Sequence, residues 1–186
     1  FEYRTFLGGM ADPHTSWMLA RSMETLAIRV ERQSRSARQV LDHLQKSPGI
    51  PVKGINKIFS AWAEDLAGSG DFKSAGIAQE QQVNGGGMFA MELPGGRKAA
   101  FAFLDSLQHF KLAVSLGSTE SLAEHPASMT HAGVPTQEKL RHGITEGLVR
   151  LSIGLEHPED LIADIDNALK AAWEVSVQLE KTVKQV

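Results

Sequence analysis

Residues 148 to 153 read Leu-Val-Arg-Leu-Ser-Ile. In an extended chain successive side chains point to opposite faces, so Val149, Leu151 and Ile153 share one face and Leu148, Arg150 and Ser152 the other. This is the clearest strand pattern in the chain, and its apolar face needs a cover. Just beyond it, Pro158-Glu159-Asp160 opens a helical stretch in which Leu161, Ile162, Ile165, Ala168 and Leu169 form one stripe. Strand and stripe each have a face to bury, and covering one with the other makes a layer of helix on sheet.

Further segments fit the same layer. Met88 to Leu93, enclosed by Gly85-Gly86-Gly87 and Pro94-Gly95-Gly96, has the pattern of a buried strand; Lys111 to Leu116 reads as another, and the neighbourhood of Val52, Ile55 and Ile58 as a short strand with a turn. A helix is expected over 97 to 109, with Ala100, Phe101, Leu104 and Leu107 on one face, and a helical start over Phe59 to Leu66. Thr136 is placed to cap a short helix that Gly143 ends. The expected fold class is α/β, an α+β sandwich: a small mixed or mainly antiparallel sheet with helices on one face, preceded by a long N-terminal helix.

That first helix begins at Asp12, whose carboxylate can accept from the free amides of the first turn, and Pro13 suits the first helical position. Trp17, Met18, Ala20, Met23, Leu26, Ala27 and Val30, then Ala37, Val40, Leu41 and Leu44, keep the helical period until Ser47-Pro48-Gly49. A helix of that length exceeds what most single domains use, so it is expected to bend or to bridge two bodies. The domain reading is a segment and long helix over 1–47, a domain over 48–172, and a helical extension over 173–186.

Composition narrows function by exclusion. The chain has 186 residues and a formal net charge of −3, which gives no reason to expect nucleic acid. Arg29, Arg32, Arg35 and Arg38 lie on one helix among Glu24 and Glu31 and read as a solvated face. Cysteine is absent, which removes disulfides, thiolate metal sites and cysteine nucleophiles and permits the cytoplasm, where the chain is expected. No apolar run approaches the roughly 20 residues of a membrane-spanning helix.

Several candidate sites carry little weight. Gly85-Gly86-Gly87 precedes a strand rather than the helix that a phosphate cradle requires, and reads as close backbone approach or a bulge. His125 and His131 match no metal-ligand spacing. Nothing such as Gly-x-Ser-x-Gly positions a nucleophilic serine. Arg150 differs, because an arginine among buried apolar neighbours needs a partner and its planar fork suits a bidentate grip on a carboxylate. An exposed position, or a structural ion pair with Glu120 or Glu124, remains open beside that reading.

Larger motifs carry a resemblance. Leu7-Gly8-Gly9, Asp12-Pro13-His14, Trp17 and Arg21 to Leu26 are followed by Lys111 to Gly117, Glu120-Ser121-Leu122, His125-Pro126-Ala127, Met129-Thr130-His131 and Leu148 to Gly154. In that order they resemble the C-terminal part of the pyridoxal-phosphate enzymes of cysteine and methionine metabolism, among them cystathionine gamma-synthases, cystathionine gamma-lyases and methionine gamma-lyases. The resemblance implies the C-terminal domain of a fold-type I enzyme, with 1–47 linking to a missing cofactor-binding domain and 48–172 as the substrate-binding domain. It implies Arg150 as the residue that binds the substrate α-carboxylate, Ser115 and the backbone at Leu116 as its helpers, and Val114 as a pocket residue whose apolar character is similar to that of methionine lyases and homoserine sulfhydrylases. It further implies pyridoxal 5'-phosphate as the intact enzyme's cofactor, an amino-acid substrate, and a homo-oligomer. The family's Ser-x-Thr-Lys cofactor lysine context does not occur here, so the chain is expected to be inactive alone. The rival reading is a non-catalytic self-association module derived from such an enzyme.

Overall fold

The computed structural model describes residues 8–46, 54–61, 77 and 80–183. Its helices are α1 (Pro13–Met23), α2 (Leu26–Lys46), α3 (Gly96–Ser106), α4 (Thr136–Arg141) and α5 (Pro158–Val183). Its strands are β1 (Lys57–Phe59), β2 (Met88–Glu92), β3 (Lys111–Leu112), β4 (Leu122–Glu124) and β5 (Leu148–Ser152). They form one mixed sheet in the order β1-β2-β5-β4-β3, antiparallel throughout except for the parallel pair β3 and β4.

The alternation at 148 to 153 puts β5 in the middle of this sheet. Val149 and Leu151 lie directly opposite Met91 and Phe89 of β2, and Ala123 of β4 faces Leu151 from the other side. With Ile58 of β1 they make an apolar sheet face that α3, α5 and the second half of α2 cover. From α5 the stripe Leu161, Ile165, Ala168, Leu169 and Ala172 descends into this core, as the helical spacing predicts. Full burial of one such leucine or isoleucine stabilises by about 1.5–3 kcal/mol, so this layer holds the domain.

Several expectations are corrected. The strand expected over 111 to 116 ends at Leu112, since the chain leaves the sheet edge there, and β4 was not foreseen. Phe59 closes β1 instead of opening a helix, and Ala61 is a turn residue. The rest of that expected helix, 62 to 66, and the strand expected near Val52 lie outside the described residues. In α3 the buried face is Ala99, Ala100, Phe103 and Leu104. Phe101 is 40% exposed and meets His125 edge to face, its ring rotated out of the core by the helix's actual orientation on the sheet. Thr136 is the first residue of α4 rather than its cap; Pro135 holds the cap position and no side chain caps the helix.

The N-terminal helix is divided. Asp12 caps α1 as expected, accepting from the amides of His14 at 2.9 Å and Thr15 at 3.1 Å and from the Thr15 hydroxyl. That hydroxyl contact, reinforced by the Thr15 amide, holds the Asp12 carboxyl below its ordinary range. A turn at Glu24 and Thr25 separates α1 from α2. The arginines of α2 form a solvated face, Arg35 pairing with Glu31 at 2.6 Å and Arg38 with Asp42 at 3.0 Å. The first half of α2 is exposed, whereas Gln33, Ser34, Ala37, Val40, Leu41 and Leu44 are buried.

Candidate active site

Arg150 stands on the sheet face opposite the helices, directly across from Glu124 of β4 in the strand register. Its neighbours on that face, Leu148 and Ser152, are buried, so the central strand is covered on both sides. Arg150 reaches the surface, its side chain 20% exposed while that of Glu124 is 1% exposed. Nη1 lies 2.8 Å from Glu124 Oε1, and Nη2 donates to the carbonyl oxygens of Val114 at 3.0 Å and Ser115 at 2.9 Å. An arginine carries five N–H donors. Three acceptors leave part of the fork available to a further anion at its exposed edge.

The structure thus brings Val114, Ser115 and Arg150 together, the first two through their carbonyls. The side chains of Val114 and Leu116 are 52% and 55% exposed beside them. Of the two glutamates left open as partners, Glu124 makes the ion pair and Glu120 is exposed.

Loop 113–121 has no regular structure, and its position is fixed by contacts from four directions. Ala113 N donates to Ala123 O at 3.0 Å, Gly117 N to Ser152 Oγ at 3.0 Å, and Gln33 Nε2 reaches from α2 to Ser118 O at 2.7 Å. At its end, Glu156 accepts from Ser121 N at 2.7 Å and Ser121 Oγ at 2.8 Å, while Ser121 Oγ accepts from Gly154 N at 2.8 Å. Gly154 allows this closeness, since a Cβ there would lie 2.6 Å from the Glu120 carbonyl carbon and against Thr119 O. At Gly87 an added Cβ would sit 3.2 Å from the Cβ of Gln33, so this glycine of the run serves close approach, whereas the space around Gly86 is open.

The following loop is organised by His125, which is fully buried. Nε2 lies 3.0 Å from the carbonyl of Glu146, which can only accept, so this nitrogen carries a proton; Nδ1 pairs with Ser128 Oγ at 2.7 Å. The buried Lys139 ammonium donates to Ala127 O at 2.8 Å. Glu146 itself is gripped by Arg97 through Nε at 2.5 Å and Nη2 at 3.1 Å. These hydrogen bonds from Arg97 hold the Glu146 carboxyl below its ordinary range, against the opposing effect of burial, and raise the Arg97 guanidinium. His125 thus has a structural role, and among the described residues no cluster could hold a metal ion.

Sequence reasoning named Arg150 and its loop but missed Gln33, Ser152 and Glu156 as the residues that hold that loop. Each is distant in sequence from the backbone it supports, and no local period signals such a contact.

Four of the described lysines do not fit a covalently held pyridoxal phosphate. Lys139 is engaged with Ala127 O, Lys57 lies 4.8 Å over the ring of Phe59, and Lys98 and Lys111 are exposed. None of these four is a sheltered amine beside Arg150.

The sheet and the ordered motifs agree with one group of proteins. The chain matches the model of Cys/Met metabolism PLP-dependent enzymes over residues 2–170 and belongs to that family. It is 43% identical over 164 residues to L-methionine gamma-lyase of Pseudomonas deceptionensis, covering 88% of this chain and 38% of that enzyme. It is 36% identical over 163 residues to cystathionine gamma-lyase of Bacillus subtilis strain 168, covering 88% of this chain and 40% of that enzyme. The crystal structure of cystathionine gamma synthase from Xanthomonas oryzae pv. oryzae in complex with aminoacrylate and cysteine superposes with a TM-score of 0.79 at 34% identity, over 91% of this chain and 41% of that one. The chain therefore spans about two fifths of the length of these relatives, and its fold is that of a fold-type I C-terminal domain.

Proposed function

We propose that this chain is the substrate-carboxylate-binding portion of a pyridoxal-phosphate lyase or transferase acting, in the cytoplasm, on a sulfur-containing or homoserine-derived amino acid. One observation carries this reading: a guanidinium held by a buried carboxylate and two carbonyls keeps donors free at an exposed edge. Arg150 grips the α-carboxylate, Ser115 and the Leu116 backbone orient it, and Val114 meets the substrate side chain. Such orientation lowers a barrier by removing motional freedom before reaction. The lysine that carries the cofactor belongs to another segment of the intact enzyme, and this chain alone turns over no substrate.

Calorimetric titration tests the reading with L-methionine and with L-methioninol, which lacks the carboxylate. Methionine is expected to bind and methioninol not, and Arg150→Ala should weaken methionine by at least about tenfold, the scale of a lost charge-assisted bond. Equal binding of the two compounds would overturn it.

The second reading is a self-association module. It is favoured by α1, which buries none of its residues. A module without substrate binding would oligomerise and leave both titrations silent.

A further inference from the structure

We infer that Glu124 is a positioning residue, one that sets the plane and reach of the Arg150 fork without touching the ligand; this rests on the reading of Arg150 as the carboxylate binder. Glu124 is directly opposite Arg150 on the neighbouring strand. Its side chain is 1% exposed, so no substrate atom can reach it. Oε1 meets Arg150 Nη1 at 2.8 Å and accepts the Thr130 hydroxyl at 3.3 Å, whereas Oε2 is buried with no hydrogen-bond partner. Burying a carboxylate with one oxygen unpaired opposes folding, and an apolar residue of similar volume would avoid the penalty. Stability therefore does not account for the carboxylate at this place.

Orientation accounts for it. An arginine has a long flexible stem, and Nη2 is held only by carbonyls of Val114 and Ser115, which lie in irregular backbone. The contact from Glu124 ties the other nitrogen, Nη1, to the rigid sheet. With its two terminal nitrogens fixed by different elements, the guanidinium plane cannot swing, and the remaining donors keep a constant direction toward the surface. The carboxylate also neutralises a cation that would otherwise stand unpaired on a strand whose neighbouring side chains are buried. Recognition of an incoming carboxylate then depends on the geometry of the fork more than on net positive charge.

The test uses the 186-residue chain with L-methionine as the probe. Affinity is measured by calorimetry, and the Arg150 Nε–H signal is followed by NMR, assigned by its loss in Arg150→Ala. Glu124→Ala should raise the methionine Kd about tenfold and broaden or shift the Nε–H signal. Glu124→Gln keeps an acceptor at the same place and should recover both readouts, and it also serves where the Ala variant fails to fold. An unmoved Nε–H signal in Glu124→Ala overturns the inference, as does methionine binding that survives Glu124→Ala but is lost in Arg150→Ala. If Arg150→Ala leaves methionine binding intact, the carboxylate-binding reading fails instead, and the Nε–H signal still decides whether Glu124 orients Arg150. Tighter binding in Glu124→Gln than in the parent would also overturn it, because Glu124 would then act only to neutralise.

Discussion

Helices α1 and α5 start alike and end in opposite circumstances. Both have a proline in the first helical position and apolar residues at helical spacing. Yet α5 sinks Leu161, Ile165, Ala168, Leu169 and Ala172 into the core, while α1 leaves Trp17 53% and Met23 68% exposed and buries nothing. The difference lies in what stands beside each helix. A sheet face waits beneath α5, whereas α1 projects away from the domain, touching it through the start of α2. Amphipathic spacing states that a face needs cover, and says nothing about where the cover comes from. An apolar surface of this kind usually marks an interface.

The largest effect should separate the two helices directly. Phe103→Ala or Leu161→Ala removes a fully buried side chain and should cost about 2–5 kcal/mol in urea denaturation. Trp17→Ala should change the stability of a dilute chain by less than about 0.5 kcal/mol. A comparable loss from Trp17→Ala would mean that α1 folds back on its own domain in solution, and the contrast would be broken.

Next comes backbone packing at the site. Gly154→Ala places a methyl against Thr119 O and 2.6 Å from the Glu120 carbonyl carbon, so the loop must move. Overpacking of this kind costs about 1–3 kcal/mol. Thermal unfolding should show the loss, and the shift of loop 113–121 should weaken methionine binding along with it. Full stability in this variant would show the loop to be softer than its contacts imply.

Self-association sharpens the α1 half of the comparison. Light scattering at micromolar concentration should report a dimer or larger species, since symmetric pairing is the commonest way to cover an apolar face. Replacing Trp17 and Met23 together by Asp should yield a monomer of unchanged unfolding midpoint. A parent chain that is monomeric at that concentration would remove the interface assigned to α1.

The smallest effect is a pH dependence inside the well-covered domain. Arg97 holds the Glu146 carboxyl below its ordinary range in the folded state, so the folded pKa is lower than the unfolded one. Such a carboxylate contributes stability above the unfolded pKa, and that contribution disappears as the pH falls through the folded value. The pair is largely exposed, so the effect is modest. Urea midpoints of the parent and Arg97→Ala should therefore differ slightly near neutral pH and converge in acid. A difference that grows in acid would contradict this sign.

Legibility followed the range of each signal. β5, β2 and the stripe of α5 were readable because period two and period 3.6 are written within a few consecutive residues. β4 was not, since Leu122 to Glu124 is too short to show a period. On α3 the expected Ala100, Leu104 and Leu107 do meet the core, and only Phe101 was misplaced, because a small rotation of a short helix decides which phenylalanine turns inward and the sheet beneath sets that rotation. Arg150 was readable as a candidate through its apolar company, yet three partners remained possible, an anion, Glu120 or Glu124.

By itself the sequence determined the elements whose periods are local, the layer they form, the family motifs and the place of Arg150 on a strand. The tertiary structure decided that Arg150 faces Glu124, that the carbonyls of Val114 and Ser115 share its fork, and that α1 stays uncovered. The reason is the range of the forces involved. Side-chain periodicity is set by backbone geometry over a few residues, but which strand lies beside which depends on how the chain between β4 and β5 closes, through His125, Ser128 and Lys139. The contacts of His125 with Glu146 and of Lys139 with Ala127 span 21 and 12 residues, and they acquire meaning only once the loop has folded.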